Sequence, residues 1–176
     1  RSLDHGNKEA SFFLADLMLE GKIESSQPNE ILDLYKISAD LVNIKAHKKV
    51  ADLLCTGKLM GKPSIEEANA YYKKGSDLGD PEMMYIWSKR KEYGIATEKD
   101  VKESLRLMEL SANQGYAKAI NDYALHLYHG NNIEKDQKKA AEYFQKSSNL
   151  NDPEGNFYHF LTFDELDEND DISPSI

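Results

Sequence analysis

Apolar residues recur along this chain at the spacing of an α-helix. Three apolar residues follow Ala119 at four, five and eight positions, which places them on one helical face at 3.6 residues per turn. Gly130 then ends the predicted helix, because glycine enters the left-handed conformation at a helix C terminus without steric cost. The same period predicts an all-α fold with helices at about 7–20, 29–41, 45–56, 64–78, 80–93, 100–113, 116–128, 136–149 and 153–163.

The helical pattern repeats four times. Its clearest marker is a glycine that recurs at spacings of 36, 37 and 36 residues, at Gly21, Gly57, Gly94 and Gly130. A pair of bulky residues and a following pair of small residues keep the same steps. The bulky pairs are Leu34 and Tyr35, Tyr71 and Tyr72, Leu107 and Met108, and Tyr143 and Phe144; the small pairs are Ser38 and Ala39, Gly75 and Ser76, Ser111 and Ala112, and Ser147 and Ser148. We infer helical hairpins in which the bulky pair fills the space between helices and the small pair lets two backbones approach closely.

This repeat divides the chain into four hairpins, a capping helix and a tail. The hairpins are predicted at about 6–42, 43–79, 80–115 and 116–151, and the capping helix at 153–163. Phe157, Phe160 and Leu161 are available to cover the exposed end of the fourth hairpin. Residues 164–176 are acidic, lack a packable pattern and are predicted to be disordered. This tail is either a plain solubilising terminus or an intramolecular competitor for the basic run at 89–91.

Local signals mark where several helices begin. Asp100 and Asp136 each precede the second helix of a hairpin as N-cap residues, and Ser64 with Glu67 forms a predicted capping box. Asp-Pro pairs at 80–81 and 152–153 open first helices, because the N–H that proline lacks has no partner at the first helical position.

The hairpin pattern is similar to that of the Sel-1-like repeat family, which is related to tetratricopeptide repeats. The resemblance extends over residues 6 to about 163 and is best in the fourth hairpin, at Ala119, Ala124, Gly130, Asp136, Ala140, Tyr143 and Phe144. The third hairpin departs from it, because Ser88 replaces a small apolar residue and Lys91 an aromatic or aliphatic one. The resemblance implies an α-solenoid, a right-handed superhelix of about four helix-turn-helix repeats of 36–37 residues with a C-terminal capping helix. It also implies a role as an interaction scaffold.

Charge and composition exclude several classes of protein. Hydrophobic residues make up 40% of the chain and charged residues 30%, which excludes collagen-like and wholly disordered chains. The net charge of -9 argues against nucleic acid as a partner, because phosphate would be repelled at long range. The longest apolar stretch near the start is cut by Asp16, far short of the ~20 residues of a membrane helix, so we expect no membrane insertion.

Cysteine usage bears on the compartment. Cys55 is the single cysteine and cannot form an intramolecular disulfide, and the chain has no N-x-[ST] sequon. We therefore expect a cytoplasmic protein. The chain begins without an initiator Met, so we also expect a fragment or processed form of a longer protein.

Two residue groups resemble ligand sites and have simpler interpretations. Gly57, Gly61 and Lys62 resemble a phosphate-binding loop, but the spacing is one residue short and Pro63 stands where Ser or Thr is needed. An ordinary repeat loop is favoured there. Residues Asp122, His126 and His129 have the helical spacing of metal ligands, yet they fall in surface columns of the repeat. A solvated or partner-facing surface is favoured, and we expect no metal.

Catalytic and nucleic-acid patterns are equally weak. Cys55 has no patterned histidine base, so a buried or groove thiol is favoured over a nucleophile. The run Lys89, Arg90 and Lys91 is flanked by tyrosines, but three consecutive helical residues point in three directions, which favours a solvated face. An alternative is that this run receives an acidic peptide. We expect no catalytic residue and no cofactor.

A partner surface is predicted on the side of the first helices opposite to their packed face. Positions three, seven, ten and eleven of each first helix lie about 160° from the packed positions, on what would be the concave surface of the superhelix. The candidate partner-binding residues are Phe12, Asp16, Leu19, Lys48, Asp52, Tyr85, Lys89, Glu92, Tyr93, Asn121, Leu125 and Tyr128. Exposed aromatic residues mixed with both charges are typical of a peptide groove.

The leading hypothesis is a noncatalytic adaptor that binds a protein or peptide segment on this concave face. One alternative is a fragment of an endoplasmic-reticulum-associated degradation adaptor, and another is the regulatory repeat region of a larger protein such as a kinase. A third is a hydrolase like the bacterial cysteine-rich repeat proteins, but their cysteine-rich hairpins are absent from this sequence.

Overall fold

The computed structural model describes the backbone of residues 2–25 and 27–170, and the side chains of residues 7–25, 27 and 29–162. These residues form helices and loops without a strand, which confirms the predicted all-α fold. The helices are α1 Ser2–Leu19, α2 Pro28–Asp40, α3 Ile44–Thr56, α4 Ile65–Asp77, α5 Pro81–Tyr93, α6 Val101–Asn113, α7 Ala117–His129, α8 Gln137–Asn149 and α9 Pro153–Asp170. For α2 to α8, the predicted boundaries agree with the structure to within one residue.

The chain divides into two compact units. Unit 1 covers residues 1–99 and contains α1 to α5, and unit 2 covers residues 100–176 and contains α6 to α9. Within each unit, every helix packs mainly against its neighbours along the chain. We call α1, α3, α5, α7 and α9 the first helices, and α2, α4, α6 and α8 the second helices.

The repeating glycines end first helices as predicted. Gly57, Gly94 and Gly130 follow α3, α5 and α7 in the left-handed conformation, with φ of 64°, 69° and 73°. A side chain at Gly57 would also overlap the backbone of Lys62. Both the left-handed conformation and this close approach therefore require glycine at the start of the loop that follows α3.

The aspartate N-caps are confirmed and the capping box is not. Asp80, Asp100 and Asp136 each accept a hydrogen bond from the backbone N–H three residues later. Ser64 stands at the N-cap of α4 without such a bond. The expected partner, Glu67, instead accepts a hydrogen bond from Lys36 of α2 at 2.8 Å. The predicted capping box is therefore wrong, because a contact between helices takes up the carboxylate that the box needs.

Small residues lie where helices approach most closely. We number each first helix from its repeat position one, which is Ala10, Ala46, Met83 and Ala119 in α1, α3, α5 and α7. Position six is then fully buried in all four helices, at 0% exposure. Its residues are Ala15, Ala51, Ser88 and Ala124. The small pairs of the second helices are also buried, except for the half-buried Ser148, and a Cβ at Gly75 of α4 would overlap the side chain of Met83 in α5. The inferred close approach is confirmed.

Helix α9 is longer than predicted and packs through different residues. It continues to Asp170, so residues 164–170 are helical instead of irregular, and residues 171–176 lie outside the described part. No Gly or Pro interrupts residues 156–170, so the helix meets no strong breaker there. Helix α9 packs on α8 through Gly155, whose Cα faces Ser147, and through Tyr158, whose ring stacks on Phe144. Of the three residues predicted to cover the hairpin, Phe157 and Phe160 are exposed because they lie on the other side of α9. Leu161 is partly exposed and lines a pocket together with Leu125 of α7 and Phe144 of α8.

Candidate functional site

The predicted partner-binding residues fall on the face formed by the first helices of each unit, which we call the first-helix face. In unit 1, position seven of this face is an aspartate twice, Asp16 in α1 and Asp52 in α3. Each accepts a hydrogen bond from a tyrosine hydroxyl of the facing second helix, Tyr35 and Tyr72 respectively. The two hairpins thus place one carboxylate and one hydroxyl at the same register.

These two tyrosines are held in the neutral form. Burial is the main reason that the pKa of Tyr35 lies far above its ordinary value, and the hydrogen bond to Asp16 adds to the effect. Burial likewise raises the pKa of Tyr72, with the hydrogen bond to Asp52 as the next contribution. Both hydroxyls therefore act as fixed donors to the carboxylates.

A charged cleft opens beside these pairs in unit 1. Its volume is about 430 Å³, and it is lined by Phe12, Ile44, Lys45, Lys48, Lys49, Asp52, Asp80 and Glu82. Lys48 Nζ lies 3.4 Å from both Asp52 and Glu82, and Lys49 Nζ lies 3.6 Å from Asp16. Burial opposes the charge on Lys48, but the two carboxylates raise its pKa above the ordinary value. The cleft presents both signs of charge within a few ångströms.

The end of α5 carries the other predicted residues of unit 1. Lys89 Nζ is 2.8 Å from Glu92 and 5.1 Å from the ring centroid of Tyr93, which is exposed. Tyr85, one turn before Lys89, is half-buried. Lys89, Glu92 and Tyr93 therefore form one exposed or partly exposed group with a cation, an anion and an aromatic ring.

The basic run at 89–91 does spread in three directions. Arg90 turns inward, with its guanidinium 4.5 Å from the ring centroid of Tyr72 and one nitrogen donating to Cys55 Sγ at 3.0 Å. Lys91 lies over the ring of Trp87 at 5.5 Å from its centroid. The ammonium group of Lys91 thus lies over an aromatic ring, although the residue stands where the repeat pattern has an aromatic or aliphatic side chain.

Two of the predicted residues are less accessible than expected. Leu19 is half-buried against the core of unit 1. Asn121 of α7 is only 2% exposed, and its Nδ2 donates to Asp152 Oδ2 at 2.8 Å. The prediction that Asn121 faces a partner is wrong, because the N-cap of α9 lies over it and uses its amide.

In unit 2 the first-helix face contains an apolar pocket of about 210 Å³. Its lining comes from α7, α8 and α9 and consists of Leu125, Tyr128, His129, Phe144, Tyr158, Leu161 and Thr162. Leu125 and Tyr128 were predicted from sequence. Sequence reasoning missed Phe144 and Tyr158, since they lie outside the column used for the prediction.

The pocket has a simple origin in the repeat. Leu125 occupies position seven, where unit 1 has Asp16 and Asp52, and Phe144 is the bulky-pair residue that corresponds to Tyr35 and Tyr72. The polar carboxylate–hydroxyl pair is therefore replaced by two apolar side chains, and the space beside them opens as the pocket. Pairing position seven with the bulky pair would have identified Phe144 from the sequence.

The remaining candidates for chemistry have local partners. His126 Nδ1 lies 2.8 Å from the carbonyl oxygen of Asn131, in the loop that follows α7. Among the described residues, no group of three or more His, Cys, Asp or Glu side chains is arranged to hold a metal ion. In the same part of the chain, no helix combines the length and apolar character needed to cross a bilayer.

Comparison with known proteins agrees with this architecture. A family model described as the Sel1 repeat matches residues 44–80, 81–116 and 117–152, more than half of the chain. A solved Sel1 repeat protein from Oxalobacter formigenes is similar over 87% of this chain and 62% of its own, with a TM-score of 0.76 and 21% identity. The protective antigen c5321 from uropathogenic Escherichia coli strains, which has an SLR fold, is similar over 89% of this chain and 33% of its own, also with a TM-score of 0.76 and 21% identity.

These matches define the fold class as an α-solenoid of helical hairpins. The chain spans less than two thirds of the length of either solved protein. At 21% identity the likeness concerns the fold alone.

Proposed function

The chain belongs to the Sel1 repeat family, and we propose that it is a noncatalytic interaction module that binds a protein segment on its first-helix face. Repeats of this family commonly serve as protein–protein interaction scaffolds and are generally noncatalytic. With a single cysteine the fold needs no disulfide, and we place the protein in the reducing environment of the cytoplasm.

The observation that carries the proposal is the apolar pocket of unit 2. Leu125, Phe144 and Leu161 give it apolar walls, while Tyr128 and Thr162 add groups that can form hydrogen bonds. Its volume of about 210 Å³ lies below the roughly 300–1,000 Å³ typical of small-molecule sites. The pocket therefore suits one large apolar side chain of a peptide better than a whole substrate or cofactor.

The charged cleft of unit 1 is a separate candidate binding site within its own unit. Lys48 is close to two carboxylates, and Lys49 is close to a third. A ligand that enters this cleft exchanges existing ion pairs for new ones, so the gain in affinity is small and the gain in selectivity is larger. We assign apolar anchoring to the pocket of unit 2, and charge-selective binding to the cleft of unit 1 as a separate site.

Selection of a phage-displayed library of random peptides on the immobilised protein tests the proposal. We expect enriched peptides to share one large apolar residue, which fills the pocket. Leu125→Arg places a charge in the pocket and should abolish binding of the enriched peptides. Leu110→Arg is the matched control in the same unit, because Leu110 is exposed on α6 away from the pocket.

A second variant tests the contribution of unit 1. Changing Tyr85 and Lys89 together to Ala should weaken peptide capture while leaving the helical circular dichroism intact. Peptide binding that survives both this double variant and Leu125→Arg would exclude the first-helix face as the binding surface.

A further inference from the structure

A pocket of unit 1 that the proposed function leaves unassigned lies where the ends of α2 and α4 meet the start of α3. Its volume is about 330 Å³, and we call it the junction pocket because it borders the loop between the first and second hairpins. It shares no lining residue with the charged cleft or with the apolar pocket. Three of its features depart from the repeat, and each bears on what the pocket can bind.

The first departure is a buried histidine. His47, at position two of α3, lines the pocket and is only 4% exposed, whereas Met84 and Ile120 occupy this position in α5 and α7. Its Nδ1 lies 2.9 Å from the carbonyl oxygen of Asn43, so Nδ1 carries the proton and Nε2 of the neutral ring is an acceptor. No described residue donates a hydrogen bond to Nε2. A ligand with an N–H group can therefore use this acceptor.

The second departure is a pair of carboxylates. Asp40 and Asp77 line the pocket as the last residues of α2 and α4, where the helix dipole already places partial negative charge. The helices α6 and α8 end instead in the neutral residues Asn113 and Asn149. Within the described part of the chain, the Asp40 carboxylate forms no hydrogen bond and no ion pair. Asp77 pairs with Lys73 at 2.7 Å, and this solvent-exposed pair contributes little stability.

One lysine also lines the pocket, and its position leaves the carboxylates accessible. Lys74 Nζ lies 5.5 Å from the ring centroid of Tyr71, three residues earlier in α4. Among the described residues, Lys74 forms no ion pair with Asp40 or Asp77. The lining thus has two carboxylates and one ammonium group, which favours a cationic ligand.

The third departure is a strained valine. Val42 has a φ of 64°, in the left-handed region that β-branched residues disfavour. It is the second residue after α2, and the equivalent residues after α4, α6 and α8 are Gly79, Gly115 and Asn151, which tolerate this conformation better. Val42 is 56% exposed, so burial of its side chain does not offset the strain. Together with the exposed Leu78, it gives the pocket an apolar rim.

Arginine matches these features better than lysine does. Its planar guanidinium has five N–H donors, which can reach a carboxylate and the Nε2 of His47 together, and its flat faces pack on apolar groups. The ammonium group of lysine is a compact charge without such faces. We propose that the junction pocket binds an arginine side chain from a segment of another protein, with apolar residues beside the arginine contacting Val42 and Leu78. This site is additional to the first-helix face.

Nuclear magnetic resonance titration of the full chain with the blocked peptide acetyl-Leu-Arg-Leu-amide tests the proposal. We expect saturable changes in the backbone amide shifts of residues 39–47 and 74–79, which surround the pocket. The peptide acetyl-Leu-Lys-Leu-amide should bind at least about fivefold more weakly. Equal affinity of the two peptides, or shift changes confined to other parts of the chain, would overturn the proposal.

Substitutions that restore the residues of other repeats locate the site without disturbing the fold. Asp40→Asn installs the residue type that ends α6 and α8, and His47→Met the residue type of α5. Each should weaken the arginine peptide by at least about fivefold, because a charged or buried acceptor is lost. Asp33→Asn is the matched control, since Asp33 is exposed on α2 outside the pocket and the change in net charge is the same. A loss as large in Asp33→Asn as in Asp40→Asn would reduce the effect to general electrostatics and overturn the site.

Val42→Gly separates recognition from a purely structural role. It installs the residue of the loops after α4 and α6, so the midpoint of urea unfolding should not fall. Binding of the arginine peptide should nevertheless weaken, because the apolar rim is lost. Unchanged binding would overturn the role of the rim in recognition.

Agmatine, a guanidinium compound without a peptide backbone, distinguishes the source of the ligand. We expect it to bind more weakly than the peptide, since it has no flanking apolar residues for Val42 and Leu78. Equal affinity would assign the pocket to a free guanidinium compound and overturn the assignment to a protein segment. None of the substituted residues lines the apolar pocket or the charged cleft, so failure of this proposal leaves the proposed function untouched, and the reverse also holds.

Discussion

Asp16 and Asp52 each accept a hydrogen bond from a tyrosine that lies across a helical hairpin. Each aspartate links the first helix of its hairpin to the second helix. Each also places a negative charge beside a lysine, Asp16 beside Lys49 and Asp52 beside Lys48. In unit 2 the equivalent residues are Leu125 and Phe144, and the same position presents apolar groups instead. One column of the repeat thus sets both packing and the chemistry of the face.

The tyrosine hydrogen bonds predict a loss of stability at high pH. Burial and a neighbouring carboxylate raise the pKa of Tyr35 and of Tyr72 above the ordinary value of about 10. Their stabilising contribution is complete below that value and falls above it, because the unfolded chain then releases protons that the folded chain retains. Urea denaturation followed by circular dichroism should show a midpoint that falls as the pH rises above about 10.

The variant with Tyr35→Phe and Tyr72→Phe checks the assignment. Each change should lower the free energy of unfolding near pH 7 by about 0.5–1.5 kcal/mol, and together they should flatten the fall at high pH. Tyr93→Phe serves as the control, because Tyr93 is largely exposed. An identical pH slope in the double variant and the wild type would contradict this account.

Removal of the Asn121 side-chain amide should destabilise the protein more than removal of one tyrosine hydroxyl. Its Nδ2 donates to Asp152, which also accepts a hydrogen bond from the backbone of Gly155 at the start of α9. Asn121→Ala should lower the free energy of unfolding by about 1–3 kcal/mol, because the buried bond is lost. Asn149→Ala, at an exposed position of α8, should cost much less in the same urea titration. Equal costs would show that the amide does not hold the start of α9.

At the scale of helices, contact between small residues determines the spacing. Gly75 of α4 is buried, and a Cβ at this position would overlap the side chain of Met83 in α5. Gly75→Ala should destabilise unit 1 by about 1–3 kcal/mol through overpacking. Lys73→Ala on the exposed side of α4 is the control in the same urea titration. It should cost less than about 0.5 kcal/mol, because the ion pair of Lys73 with Asp77 is exposed to solvent.

A double-mutant cycle tests the contact directly. Met83→Ala creates room for the new methyl group, so the cost of Gly75→Ala should be smaller in that background. Thermal or urea unfolding of the four proteins gives the coupling energy. Additive costs would mean that the two residues do not share the space between α4 and α5.

Local signals predict helices well and contacts between helices poorly. The period of apolar residues and the glycine stops locate α2 to α8 to within one residue, because each signal depends only on residues that are close together along the chain. The failed capping box at Ser64 and the buried Asn121 have the opposite origin. Lys36 of α2 donates a hydrogen bond to Glu67, and Asp152 at the start of α9 accepts one from Asn121. Rules that consider one turn of helix cannot predict partners that are about 30 residues away along the chain.

For the molecule as a whole, neighbour-to-neighbour packing predicts uneven protection within each unit. In unit 1, α3 packs between α2 and α4, whereas α1 packs mainly on α2 alone. Hydrogen exchange followed by mass spectrometry should therefore show slower exchange in α3 than in α1, since an end helix opens with the loss of one interface. Equal exchange rates in the two helices would indicate that unit 1 opens only as a whole.

The loop that follows α3 carries a consequence for how the chain tolerates changes in length. Counted from its glycine, it holds one residue more than the loops that begin at Gly21, Gly94 and Gly130, yet Tyr72 reaches Asp52 just as Tyr35 reaches Asp16. Within a helix, one inserted residue would turn every later side chain by about 100° and break such pairs. Insertions are thus absorbed between helices, and hairpins of unequal length can be duplicated or exchanged without redesign of their interfaces.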